Sequence, residues 1–96
     1  TFGLEELAGR KVVALFDRAE ARDFADVFAL AQRFPKDLLI RRAAEVDAGF
    51  DLAVLATMIG FLSRFRDEEI PVDAEQTHEV RSFFRRWQEE LRRKGS

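Results

Sequence analysis

The chain reads as an all-α protein, a compact bundle of about five helices with no sheet. Apolar residues recur at helical spacing from Leu4 to Leu91. No run of useful length alternates with the period of two that a strand requires. Glycine and proline, the residues that break helices, number only five and two in 96 residues. That length suits one small domain around one core. A hydrophobic fraction of 47% beside 35% charged residues separates the chain from disordered sequences, which lack the apolar mass for a core.

A first helix is expected over about residues 4–18. At about 100° per residue, Leu4, Leu7, Ala8 and Leu15 share one side of it. Lys11 falls between Leu7 and Leu15 on that stripe, and Arg18 falls beside Leu7. A short joint leads to a second helix over about residues 22–33, with Phe24, Val27, Phe28, Ala31 and Phe34 as its apolar face. Pro35 suits the first turn of a third helix, where its missing N–H is not needed. Leu38, Leu39 and Ala43 form the expected buried edge of that helix. Ala48-Gly49 should end it, with Gly49 in a left-handed cap. Asp51 is the expected N-cap of a fourth helix over about residues 52–65. This helix is apolar on nearly every side and is expected at the centre of the core. Gly60 inside it costs about 1 kcal/mol against alanine, which points to close packing there. Residues 66–71 read as a charged turn. A fifth helix starts near Asp73, with Gln76 three residues on as in a capping box. Its core stripe is Val80, Phe84, Trp87 and Leu91, flanked by Phe83.

The formal net charge of -2 argues against a strongly basic nucleic-acid coat. Arg81, Arg85, Arg86, Arg92, Arg93 and Lys94 crowd the last helix, but Glu79, Glu89 and Glu90 interleave. The pattern favours a solvated face over an RNA surface. The absence of cysteine excludes disulfides and thiolate metal sites. No apolar run approaches the roughly 20 residues of a membrane span, and no signal-peptide pattern stands at the start. A cytoplasmic protein that does not enter the membrane is the expectation. The chain opens on Thr1 and passes almost at once into an amphipathic helix, so it is expected to be part of a longer protein. The lone histidine, His78, has no nucleophile near it in sequence and reads as a surface residue. No phosphate-binding glycine loop, nucleophile elbow or zinc spacing is present.

The charged residues around the first joint carry the candidate chemistry. Lys11 on an apolar stripe either snorkels, its stem on leucines and its head in water, or emerges at a cleft edge and holds a phosphate as a point charge. Arg22 and Asp26 are spaced i, i+4 and can pair, a contact worth about 0.2–0.5 kcal/mol. Asp23 suits the first turn of its helix, where the dipole favours an anion. An Asp26 that faces Lys11 or Arg18 across the joint would orient a cation at a phosphate. Two carboxylates three residues apart with no third ligand make a weak metal signal, and no metal ligand is assigned.

The run Leu7-Ala8, Lys11, Ala14-Leu15, Arg18, Arg22-Asp23, Asp26 and Leu30 resembles the C-terminal helical region of the AbiEii/AbiGii-type nucleotidyltransferases, which include MenT-like toxins of toxin–antitoxin and abortive-infection systems. The segments Ala44-Glu45-Val46-Asp47-Ala48-Gly49-Phe50 and Phe83-Phe84-Arg85-Arg86-Trp87 extend the resemblance over nearly the whole chain. The resemblance implies a polymerase-β-like catalytic core followed by a helical region, and transfer of a nucleotidyl group from an NTP with Mg in the complete protein. For some relatives the acceptor is the 3′ end of tRNA. Lys11 would match the lysine that holds the triphosphate, with Arg18, Arg22 and Asp23 on the same nucleotide-binding side. Asp26 would match an aspartate at the catalytic edge.

The family's metal-binding step needs a Gly-Ser turn and an Asp-x-Asp pair on strands. This chain has neither a strand signal nor an Asp-x-Asp pair. The resemblance therefore implies one side of a nucleotide cleft, with no cofactor bound and no transfer by this chain alone. Its partners would be a missing N-terminal catalytic core, a cognate antitoxin and tRNA through the complete enzyme. The competing reading is a non-catalytic helical interaction module that uses exposed aromatic residues and self-associates.

Overall fold

Helix α1 (Leu4–Asp17) starts behind an extended Gly3 and carries Glu5 and Glu6 in its first turn, where the helix dipole favours acids. The computed structural model describes residues 3–95. Within them follow α2 (Ala21–Ala31), α3 (Lys36–Val46), α4 (Leu52–Ile59) and α5 (Ala74–Gly95). Two short 3₁₀ segments, Gly60–Arg64 and Asp67–Glu69, lie between α4 and α5. No strand occurs among the described residues. The all-α bundle of five helices expected from the sequence is what the chain forms.

The helices pack chiefly as two pairs, α1 against α3 and α4 against α5. Helix α1 also touches α2 and α4, and α2 reaches α5, so the pairs close around one core. Trp87, Phe24, Phe84, Leu15, Leu39 and Leu55 fill it. Phe24 meets Phe84 edge-on at 5.1 Å between centroids, and Phe28 meets Phe83 the same way at 5.6 Å. Such edge contacts suit the ring quadrupoles and add about 0.5–1.5 kcal/mol beyond burial. The stripe Val80, Phe84, Trp87 and Leu91 is buried along its full length.

The buried line of α1 differs from the expected one. Leu4 and Leu7 are 39% and 46% exposed, while Ala8, Gly9, Val12 and Leu15 are buried. Steps of four residues overshoot a turn by about 40°, so the line from Leu7 through Lys11 to Leu15 winds from solvent into the core. The small residues face inward because α3 comes very close. A Cβ on Gly9 would stand 2.8 Å from the carbonyl carbon and oxygen of Arg42.

The end of α3 also departs from expectation. No glycine among the described residues has a positive φ. The helix instead ends in an extended Asp47, whose carboxylate accepts the Gly49 N–H at 2.8 Å. Among the described residues the left-handed conformation falls to Ala19, with φ 49°. Asp51 caps α4 as expected and accepts from the N–H groups of Ala53 and Val54. The α-helix stops at Ile59 and tightens into the 3₁₀ segment at Gly60, short of the expected end. Nor is α4 surrounded: Leu55, Ala56, Ile59 and Leu62 face the core, but Val54 is 44% exposed. Gly60 does lie in close packing. A Cβ there would meet Gln88 Nε2 at 2.9 Å, and that nitrogen donates to the Ala56 carbonyl.

Candidate functional site

The joint between α1 and α2 is built around Asp23. Its carboxylate is buried at 1% exposure and takes a two-pronged contact from Arg18, with Nε to Oδ2 and Nη2 to Oδ1 both at 2.9 Å. It also accepts the Glu20 N–H at 3.0 Å, which ties down the first turn of α2. Left-handed Ala19 turns the chain back within the few residues between the two helices, and its methyl is buried. Burial is the largest influence on the Asp23 carboxyl and alone would raise its pKa. The Arg18 hydrogen bonds, the Glu20 N–H and the charges of Arg18 and Lys11 together outweigh it, so the pKa lies below the ordinary value. The Asp23 hydrogen bond and charge raise the Arg18 pKa in turn.

Beside this buried pair sits a second, open one. Lys11 on α1 donates from Nζ to Asp26 Oδ2 on α2 at 3.2 Å, and the two side chains are 39% and 38% exposed. Of the partners open to Asp26 on sequence grounds, Lys11 is the one it meets. Arg22 does not pair with Asp26. It is exposed and has no ion-pair partner among the described residues. Lys11, Arg18, Asp23 and Asp26 thus form one cluster of two cations and two carboxylates, with Arg22 outside it. Chemically, the cluster offers a half-exposed ammonium whose counterion a phosphate can displace. Asp26 also borders a hollow of about 520 Å³ shared with Gln32, Val72 and Gln76.

No group of three or more metal-capable side chains occurs among the described residues. His78 lies on the surface, as its sequence context suggests. None of the aromatic residues described is exposed, so a docking module built on exposed aromatics finds none of them among the described residues. Among the described residues the exposed large apolar ones are Leu4, Leu7, Val46 and Val54. Leu4 and Val46 flank a cleft of about 670 Å³ between α1 and α3 that includes neither Lys11 nor Asp26. Arg42 crosses that region between Glu45 and Glu5, each at 2.8 Å, and their hydrogen bonds raise its pKa.

Sequence reasoning placed Arg81 on a solvated face, and the fold uses it otherwise. Its guanidinium contacts Asp67 Oδ1 and donates to the carbonyls of Leu62 and Phe65. It clamps the irregular stretch between α4 and α5. The excess of apolar residues in that stretch signals burial, but nothing local reveals which cation closes over it.

No helix among the described residues is long and apolar enough to cross a membrane. No curated protein and no solved structure shows significant similarity to the chain. The family model described as "Nucleotidyl transferase AbiEii toxin, Type IV TA system" matches residues 1–94. With nearly every residue inside that match, the chain belongs to the AbiEii family of nucleotidyl transferase toxins of type IV toxin–antitoxin systems.

Proposed function

We propose that this chain supplies the nucleotide-holding side of a nucleotidyl transferase cleft, with Lys11 as the phosphate-holding residue. The supporting observation is the open Lys11–Asp26 pair standing on the buried Arg18–Asp23 pair. The inner pair locks the two helices together, so the outer ammonium is held in place without being sequestered. A triphosphate would take over the contact that Asp26 makes in its absence. Lys11 then neutralises charge on the leaving phosphates, whereas before the nucleotide arrives Asp26 positions Lys11 at the cleft edge. Arg18 orders the joint through Asp23, and Arg22, exposed and without an ion-pair partner among the described residues, is open to an outer phosphate.

The residues described fit a phosphate and not a metal, since no three metal-capable groups converge. When bound, Mg would organise the phosphoryl oxygens on carboxylates from an N-terminal catalytic core outside this chain. In this reading the chain alone does not transfer nucleotides, the whole protein works in the cytoplasm on an RNA end such as that of tRNA, and a cognate antitoxin opposes it. The family membership supports the reaction class and the antitoxin.

The test is Lys11→Ala in the whole protein. A loss of transfer of at least 100-fold with an unchanged circular-dichroism melt is expected, with partial recovery in Lys11→Arg. Full activity in Lys11→Ala would remove Lys11 from the reaction. Labelling of RNA by the isolated chain would overturn its dependence on a separate core. A docking role is favoured instead by exposed Leu4 and Val46 beside the α1–α3 cleft. Under it, Lys11→Ala is silent, and polar substitutions at Leu4 and Val46 alter association.

A further inference from the structure

We infer that the hollow between α2 and the start of α5 holds the nucleoside end of the nucleotide, and that Gln32, Asp73 and Gln76 select a base carrying an exocyclic amino group. The inference rests on the reading of Lys11 as the phosphate-holding residue. Asp26 joins the two places. It accepts from Lys11 at 3.2 Å, and it also borders the hollow of about 520 Å³. Gln32, on the same border, stands six residues past Asp26, about 9 Å along the helix. A nucleoside laid along α2 fits that span.

Charge sets the direction of the nucleotide. Asp26 and Asp73 border the hollow, and no cation does among the described residues. Phosphate is repelled there, so the uncharged end enters and the triphosphate points back to Lys11. The walls suit a flat ring. Helix α2 contributes Ala25 and Ala29 to them, and the segment before α5 contributes Pro71 and Val72. Such apolar walls with a few polar groups hold a small ligand and leave its edge to be read.

The polar edge is rich in acceptors. Gln32 Nε2 donates to the Phe28 carbonyl at 3.2 Å, which leaves Gln32 Oε1 to accept. The Asp73 carboxylate only accepts. No described residue hydrogen-bonds to that carboxylate or to the Gln76 carboxamide. Gln76 Nε2 is thus the uncommitted side-chain donor on this border, against acceptors on three residues. Acceptors pair with an amino group and face a bare oxygen when a carbonyl replaces it. A site built to bond one group disfavours the analogue that lacks it.

The test is calorimetric titration of the whole protein, without RNA, with CTP, UTP, ATP, ITP and inorganic tripolyphosphate. Within each pair, CTP with UTP and ATP with ITP, the bases differ where an amino group becomes a carbonyl. The amino-bearing member should bind about tenfold more tightly. In Asp73→Asn/Gln32→Leu both ratios should fall toward one, with tripolyphosphate binding unchanged. Gln76→Leu, on the exposed face of α5, should narrow the ratios by itself and serves if the double variant melts early. Lys11→Ala should weaken all five ligands alike and preserve the ratios. Equal affinities within the pairs, or ratios that survive these substitutions, would overturn the inference while a loss in Lys11→Ala leaves the phosphate role standing. A silent Lys11→Ala with ratios that still collapse in the double variant would remove the phosphate role and keep the base in the hollow. Failure of all five ligands to bind would overturn both.

Discussion

Arg18 and Asp23 meet across the α1–α2 joint in a two-pronged contact at 2.9 Å, with the carboxylate 1% exposed and the guanidinium side chain 54% exposed. The asymmetry decides what each partner's loss does. In Arg18→Ala a buried carboxylate keeps only the Glu20 N–H, whereas in Asp23→Asn the arginine can turn to water. Arg18→Ala should cost about 1–3 kcal/mol, at the low end of what breaking a buried pair costs because water already reaches Arg18. Urea denaturation of the two variants should rank Arg18→Ala as the less stable. The reverse order would mean that the pair is held by its exposed half.

The same contact sets an acid limit. Asp23 has a lowered pKa in the folded chain. Its contribution is therefore fully present above the unfolded carboxylate pKa of about 3.9 and is lost as pH falls through the folded value. The melting temperature should fall in acid below about pH 4, and less steeply in Asp23→Asn than in the parent. Equal slopes in the two would show that other carboxylates carry the acid response.

Gly9 holds the α1–α3 contact closed. A methyl there would lie 2.8 Å from the Arg42 backbone, which cannot swing away as a side-chain end can. Alanine gains about 1 kcal/mol of helix propensity, but overpacking costs about 1–3 kcal/mol. Gly9→Ala should therefore lower the melting temperature, although an isolated α1 peptide with the same change would gain helicity. A more stable protein would show that the helices separate at little cost.

Ala19 adopts φ 49° with its methyl buried. The left-handed conformation costs an L-residue about 1–2 kcal/mol, which glycine would avoid. Glycine would also give up about 0.8 kcal/mol of methyl burial and lose more entropy on folding, about 0.5–1 kcal/mol. These effects nearly cancel, so Ala19→Gly should be close to neutral. Ala19→Val should be severely destabilising, because branching at Cβ sharpens the clash. A valine variant that melts with the parent would mean the joint readily changes its turn.

Arg81 joins Asp67 to the carbonyls of Leu62 and Phe65. Arg81→Met keeps much of the stem but frees both carbonyls, and a loss of about 1–3 kcal/mol is expected. Arg81→Lys should recover little, since one ammonium cannot span three acceptors placed for a fork. Hydrogen exchange should quicken first in residues 60–70. A variant with unchanged protection there would show that the segment is held by Ile70 and Leu62 alone.

Local chemistry made much of the fold legible. Asp51 announces its cap because a short acidic side chain reaches the free N–H groups of the turn that follows it. The stripe from Val80 to Leu91 announces its buried face because apolar spacing alone selects one side of a long helix. Lys11 stood out for the same reason, as a cation on an apolar line. The burial of Asp23 was not legible, since it depends on Arg18 reaching back across a turn in Ala19 that no glycine marks. The exposure of Leu4 and Leu7 was not legible either, since helix periodicity gives an apolar side but not where its neighbour lies.

By itself the sequence determined the five helices, the N-cap of α4, the core face of α5 and the family pattern from Leu7 to Leu30, all of which rest on neighbours within a few residues. Only the tertiary structure decided which edge of α1 is buried, that Asp26 meets Lys11 and not Arg22, and that Arg81 is a clamp. Those outcomes depend on contacts between distant segments: the close approach of α3 at Gly9, the reversal at Ala19 and the packing of α5 over residues 60–70. Charge pairs in particular form only where packing brings side chains together and removes the water that would otherwise separate them.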